Sequence, residues 1–243
     1  MIVIPIAGSS KRFKNIGVLQ PKWSIRIGEQ SVLEWATRSI LDSLLQDEIL
    51  LYIVKESELD TLTKIIDEIG DHRIQFVQIG QSTSGQAETV FEGLKLVKYG
   101  AGERLVVWCC DSAYKKGAFN FLELSGNWLA VSKLIGDHWS FIEAREEHVV
   151  RTSEKIRISE YASIGLYGFS SIDEFIKTDP VRKDNIYGES FIAPLYNRLI
   201  HEKRKVKSRE LESSNYFPMG TPEEIKQTCL KLGYEIPGEL KGP

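Results

Sequence analysis

Long apolar runs are missing from this chain: Ile49 to Val54 is among the longest, far short of the roughly 20 residues that span a bilayer. No membrane span is expected. Cysteine is scarce, and its placement excludes a disulfide framework, because Cys109 and Cys110 are adjacent and Cys229 stands alone. No Cys-x-x-Cys pair occurs, so zinc ribbons and dithiol redox motifs drop out. The three thiols read as small buried hydrophobes. Charge of one sign is lacking too: 31 Lys and Arg face 34 Asp and Glu, a net charge of −3. Broad neutralisation of a nucleic-acid backbone is therefore excluded. Residues Met1 to Gly8 lack the basic segment of a secretory leader and reach a glycine turn at once. They read as a strand, and a cytoplasmic location is expected.

Several catalytic signatures are absent as well. There is no Gly-x-x-x-x-Gly-Lys-Ser/Thr loop, and Gly100-Ala101-Gly102 lacks the third glycine of a dinucleotide fingerprint. No Gly-x-Ser-x-Gly elbow supports a serine hydrolase. His72, His138, His148 and His201 show no metal-ligand spacing, and His-Glu-x-x-His does not occur.

What is present is an α/β pattern. The 243 residues suit one large domain. β-branched runs at Ile2–Ile6, Ile49–Val54, Ile74–Gln78 and Leu105–Cys109 alternate with helical stretches at Val32–Leu45, Glu58–Ile69 and Gln86–Lys98. That alternation predicts a mostly parallel sheet with helices on both faces, and a ligand site beyond the carboxyl ends of the strands. Beyond Asp111 the segments shorten. Trp128–Ile135, Trp139–Ala144 and His148–Arg151 are such short segments, Ala162–Phe169 reads as another strand, and a helix is expected over Ser190–His201. Thr221, Pro222 and Glu224 form a capping box for a last helix, Pro222–Leu232.

The polar motifs fall at strand ends. Ala7-Gly8-Ser9-Ser10-Lys11-Arg12-Phe13 follows the first strand; a glycine turn, backbone N–H groups and two cations suit a phosphate. The segment equally fits an ordinary loop with two solvated cations. Asp111, after an apolar strand, suits a metal ligand or a cap. Lys203 to Arg209 holds five cations in seven residues and reads as a solvated helix end, with an anion site as the alternative.

Taken in order, these segments resemble the sugar-phosphate nucleotidyltransferases. The resemblance rests on Ala-Gly-x-x-x-Arg-Phe after a strand, then Pro21-Lys22, Gly85-Gln86-Ala87, Trp108-Cys109-Cys110-Asp111, Glu154-Lys155 with Ala162 to Phe169, Tyr187-Gly188-Glu189, and Gly220-Thr221-Pro222. It implies a Rossmann-like, three-layer, GT-A-like fold with a mixed sheet. Residues 1–111 would form a nucleotide-binding half, and 112–243 a small acceptor-binding part of the same domain. By that resemblance Ala7, Gly8, Ser9, Ser10 and Lys11 would line the nucleotide phosphates, Arg12 would hold the β and γ phosphates, and Lys22 would reach the α-phosphate. Gln78 or Gln81, with Gly85 and Gln86, would meet the base. Asp111 would hold Mg2+, and Lys155, Gly165 and Glu189 would contact the acceptor.

Two departures stand out. Ser10 replaces a glycine of the first loop, and Pro218 stands where an aspartate often provides a second metal ligand. The match is nearest to a capsule-associated subgroup with a Cys-Asp strand end. The expected reaction moves a nucleoside monophosphate from an NTP, with CTP first, to a phosphorylated small molecule such as a sugar 1-phosphate, releasing pyrophosphate. A non-sugar acceptor phosphate is the alternative within the class. A glycosyltransferase on the same fold lacks its Asp-x-Asp pair here, whereas a non-catalytic nucleotide-binding module is kept open by Pro218.

Overall fold

The computed structural model describes residues 1–80, 82–121, 123–181 and 188–241. The chain runs through Ile2–Pro5 (β1), Lys11–Lys14 (α1), Arg26–Ile27 (β2), Gln30–Ser31 (β3), Val32–Leu41 (α2), Leu50–Lys55 (β4), Leu59–Ile69 (α3), Ile74–Ile79 (β5), Gln86–Leu94 (α4) and Leu105–Trp108 (β6). It continues through Ser112–Tyr114 (β7), Asn127–Lys133 (β8), Ser140–Arg145 (β9), His148–Glu154 (β10), Tyr161–Phe169 (β11), Ile172–Lys177 (α5), Leu195–His201 (α6), Val206–Glu210 (β12), Tyr216–Pro218 (β13) and Pro222–Leu232 (α7).

Every residue of β1 is buried, as a strand apolar on both faces requires. Its alternation feeds two cores. Ile2 and Ile4 pack with Leu33, Ala36 and Ile40 of α2 and Leu62 of α3. On the opposite face, Val3 packs with Val90 of α4, Phe175 of α5 and Tyr196 of α6. Three layers result. Ser31 and Glu34 close a reciprocal capping box that starts α2, and Thr221 with Glu224 does the same for α7.

Nine strands form one mixed sheet in the order β5-β4-β1-β6-β11-β8-β12-β10-β9. The pairs β4–β5, β1–β4 and β1–β6 are parallel, as the alternation predicts. Past β6 the pairing turns antiparallel at β6–β11, β11–β8, β12–β10 and β10–β9, and only β8–β12 is parallel there. Of these pairs only β9–β10 is a short hairpin; the others join strands distant in sequence. β9 also pairs with β11 through Phe141 and Ala162, curling this end of the sheet. No described helix is long and apolar enough to cross a membrane.

Two segments differ from their sequence-based expectation. The basic run ends helix α6 only in its first residues, where Lys203 N and Arg204 N donate to Ile200 O and Leu199 O; from Val206 it is strand β12, inserted between β8 and β10. Val206 is buried, Lys207 and Arg209 both pair with Glu147, and Arg204 pairs with Glu174. Neighbouring strands satisfy its backbone, which charge composition alone does not reveal. The helix expected from Ser190 begins instead at Leu195, because Pro194 lacks an N–H and is fitted to a helix start.

Candidate active site

A cleft of about 810 Å³ opens at the carboxyl ends of β1 and β6. One wall is the loop from Gly8 to Phe13. Lys11 and Arg12 are exposed there, while Phe13 is buried with Met219, Ile225, Cys229 and Leu240 and so pins α1 to α7 and the C-terminal segment. Ser10 adopts the left-handed conformation, φ 52°, and its hydroxyl accepts the Lys22 N–H at 3.1 Å. The side chain that replaces glycine therefore joins the two cation-bearing segments.

Pro21 enters a short 3-10 turn, Lys22–Ser24. The buried Trp23 indole donates to Ile6 O at 3.1 Å, locking that turn to the end of β1. Lys22 is thereby aimed across the cleft, where its ammonium forms an ion pair with Asp111. Burial draws the Lys22 pKa down, but the Asp111 charge and hydrogen bond outweigh it, and the net shift is upward. Burial also pushes the Cys110 thiol up to about 12 and raises Cys109, so both stay protonated at neutral pH.

Asp111 lies in the turn between β6 and β7. Because β7 pairs with β13, the Gly220 turn is brought against it: Met219 N donates to Asp111 O at 2.8 Å. A Cβ on Gly220 would stand 3.0 Å from Asp111 Oδ2. Glu224 fixes that turn by accepting from Gly220 N and Thr221 N at 2.8 and 3.0 Å, while its other oxygen meets His138 Nε2 at 2.6 Å. His138 packs on Trp139, with ring centroids 4.4 Å apart.

The far wall comes from β10, β11 and residues 188–191. Ser140 donates its hydroxyl to Glu154, whose pKa burial raises despite that bond and the charge of Lys155. Lys155 has a left-handed backbone, φ 55°, and its Nζ lies 4.6 Å from the Phe191 ring centroid. Gly165 sits where the β11–β8 register shifts, at φ +84°, and a Cβ there would come within 2.8 Å of Cys109 Cβ. Gly165→Ala combines a left-handed strain of about 1–3 kcal/mol with that overlap; a lower midpoint in urea unfolding is the expected result.

Gly8, Ser9, Ser10, Lys11, Arg12 and Lys22 line the cleft together with Gly85, Gln86, Asp111, Lys155, Gly165 and Glu189. Two of the sequence-selected residues are not among those that line the cleft. Ala7 is fully buried in the core, and Gln78 is exposed on β5, the outermost strand. A third, Gln81, lies outside the described residues. Sequence reasoning missed Ser190, His138 and Trp139. The Glu224 cap was legible, but no sequence signal links it to a histidine 86 positions earlier. Among the described residues, no three His, Cys, Asp or Glu side chains gather to hold a metal. Asp111 alone fits a hard ion that arrives with phosphate oxygens and keeps its waters.

No family model and no curated protein matches the sequence. Solved structures do. A nucleoside-diphosphate-sugar pyrophosphorylase from Vibrio cholerae RC9 superposes with a TM-score of 0.84 at 28% identity, over 95% of this chain and 100% of that one. An inositol-1-phosphate CTP transferase from T. maritima gives 0.76 at 16% identity, covering 95% of each chain. A UDP-glucose pyrophosphorylase complexed with UDP-glucose gives 0.77 at 15%, covering 96% of this chain and 97% of that one. The architecture and the cleft thus lead to one conclusion about fold: this chain has the α/β fold of the nucleotidyltransferases, similar to nucleotide-sugar pyrophosphorylases along nearly its whole length.

Proposed function

We propose that the chain is a nucleotidyltransferase enzyme that transfers a nucleoside monophosphate from an NTP to a phosphorylated small molecule and releases pyrophosphate. The observation that carries this reading is the Lys22–Asp111 pair, set in the cleft between the Lys11-Arg12 loop and the Glu154-Lys155 wall. A triphosphate brings high negative charge to the end with Lys11, Arg12 and Lys22. An acceptor phosphate oxygen then attacks the α-phosphorus, and the bond to the pyrophosphate oxygen breaks. Lys22 shares its charge between Asp111 and the α-phosphate, stabilising the negative charge that builds in flight. Arg12 holds the departing phosphates, while Lys155 and Glu189 orient the acceptor. Asp111 would hold Mg2+ jointly with the triphosphate, and the ion when bound neutralises phosphate charge.

CTP is placed first among the nucleotides; an inositol-1-phosphate CTP transferase is among the solved structures similar to this chain. The acceptor is a sugar 1-phosphate or a non-sugar phosphate, and surface-polysaccharide assembly is the proposed setting. A second reading, nucleotide binding without turnover, draws on Pro218 in place of a second carboxylate. One assay separates the two: incubate with Mg2+, each NTP and a panel of phosphorylated acceptors, and follow pyrophosphate. Release with one pair supports the transferase; nucleotide binding with no release from any pair favours the module.

A further inference from the structure

We propose that Ser190 is a positioning residue that makes nucleotide binding and acceptor binding interdependent; the inference rests on the nucleotidyltransferase reading of the cleft. A helix N-terminus leaves its first N–H groups without partners inside the helix. In α4 two of these are taken by a residue about a hundred positions later in the chain. Ala87 N donates to Ser190 O at 3.0 Å, and Glu88 N donates to Ser190 Oγ at 3.1 Å. The approach is so close that a Cβ on Gly85 would fall 2.4 Å from Ser190 O. Glycine is required at that position for lack of space, since its backbone is extended.

Ser190 itself is 2% exposed and does not line the cleft. Its neighbours Glu189 and Phe191 do, on the acceptor side, while Thr83, Ser84, Gly85 and Gln86 do so on the nucleotide side. The same loop is tied onward to β10. Thr152 Oγ1 donates to Ala193 O at 2.9 Å, and Lys155 Nζ lies over Phe191. Ser190 thus joins the first turn of the nucleotide-side helix to the strand that carries Glu154 and Lys155. A nucleotide that steadies the start of α4 also steadies Glu189, Phe191 and Lys155, and an acceptor acts in the reverse direction by the same factor.

Hydrogen exchange tests this without knowledge of the acceptor. The protein is incubated with Mg2+ and ATP, GTP, CTP or UTP, and exchange is followed by mass spectrometry. The nucleotide that slows residues 83–89 is expected to slow 188–193 as well. In Ser190→Ala, protection of 83–89 should persist, and nucleotide-dependent protection of 188–193 should fall about fivefold or more. Thr152→Val, which cuts the tie of the same loop to β10 at Ala193 O and lies outside the cleft lining, is the second variant and should lower protection of 188–193 likewise. Full protection of 188–193 in both variants, or protection of 83–89 alone in the unaltered protein, overturns the coupling and leaves the transferase reading standing. No protection at 83–89 with any NTP overturns both.

Discussion

Lys22→Ala is expected to lower turnover by about 10²–10³-fold, the usual effect of deleting one group that stabilises charge developing in the transition state. The loss should appear in kcat more than in nucleotide KM, because Arg12 and Lys11 still line the triphosphate end. The variant also strands Asp111, whose side chain is only 14% exposed and whose partner is then gone. A stability loss of roughly 1–3 kcal/mol follows from leaving that group unpaired. Asp111→Ala should be as inactive and should likewise destabilise. The double variant is expected to be more stable than the two single losses predict, since neither charge is left alone. Wild-type turnover in Lys22→Ala would refute its role, and strictly additive urea midpoints would refute the pairing.

The second large effect concerns Trp23, which lines the cleft beside Lys22 yet is only 1% exposed. Trp23→Ala removes a fully packed side chain and its indole bond to Ile6 O, and should cost about 3–5 kcal/mol of unfolding free energy. Trp23→Phe keeps most of the volume and loses the hydrogen bond, for about 1–2 kcal/mol. Because that bond holds the Lys22 turn against β1, Trp23→Phe should also lower kcat while nucleotide binding is retained. Denaturant unfolding and steady-state kinetics on the same preparations separate the two contributions. An unchanged kcat in Trp23→Phe would mean that the turn is aimed by Pro21 and Ser10 alone.

Residues 1–111 were legible in the sequence because their information is local. β-branched runs and helical periodicity lie in single segments, and α2 and the parallel strands follow from them. Residues 112–243, the capping box of α7 apart, are written in distant pairings. β12 looks like a solvated basic run until Glu147 and the backbone of β8 are beside it. The family resemblance assigned Asp111 and Lys22 separate tasks, whereas the fold joins them in one ion pair. Ser190 carried no local signal, since its partners belong to a helix that begins at Gln86. Pro194, by contrast, was visible and marks where the expected helix had to be shortened.

The anchoring of Phe13 by Met219, Ile225 and Leu240 has a consequence for synthesis. Domain parts generally fold as they emerge, amino terminus first. Here the loop bearing Lys11 and Arg12 cannot bury its aromatic anchor until α7 and the segment after it have left the ribosome. The first 111 residues therefore emerge with an uncovered aromatic side chain at the future phosphate loop, and with β6 still lacking β11 beside it. A stalled or truncated chain would present that surface to chaperones, and the cleft would assemble only as the last helix closes over it.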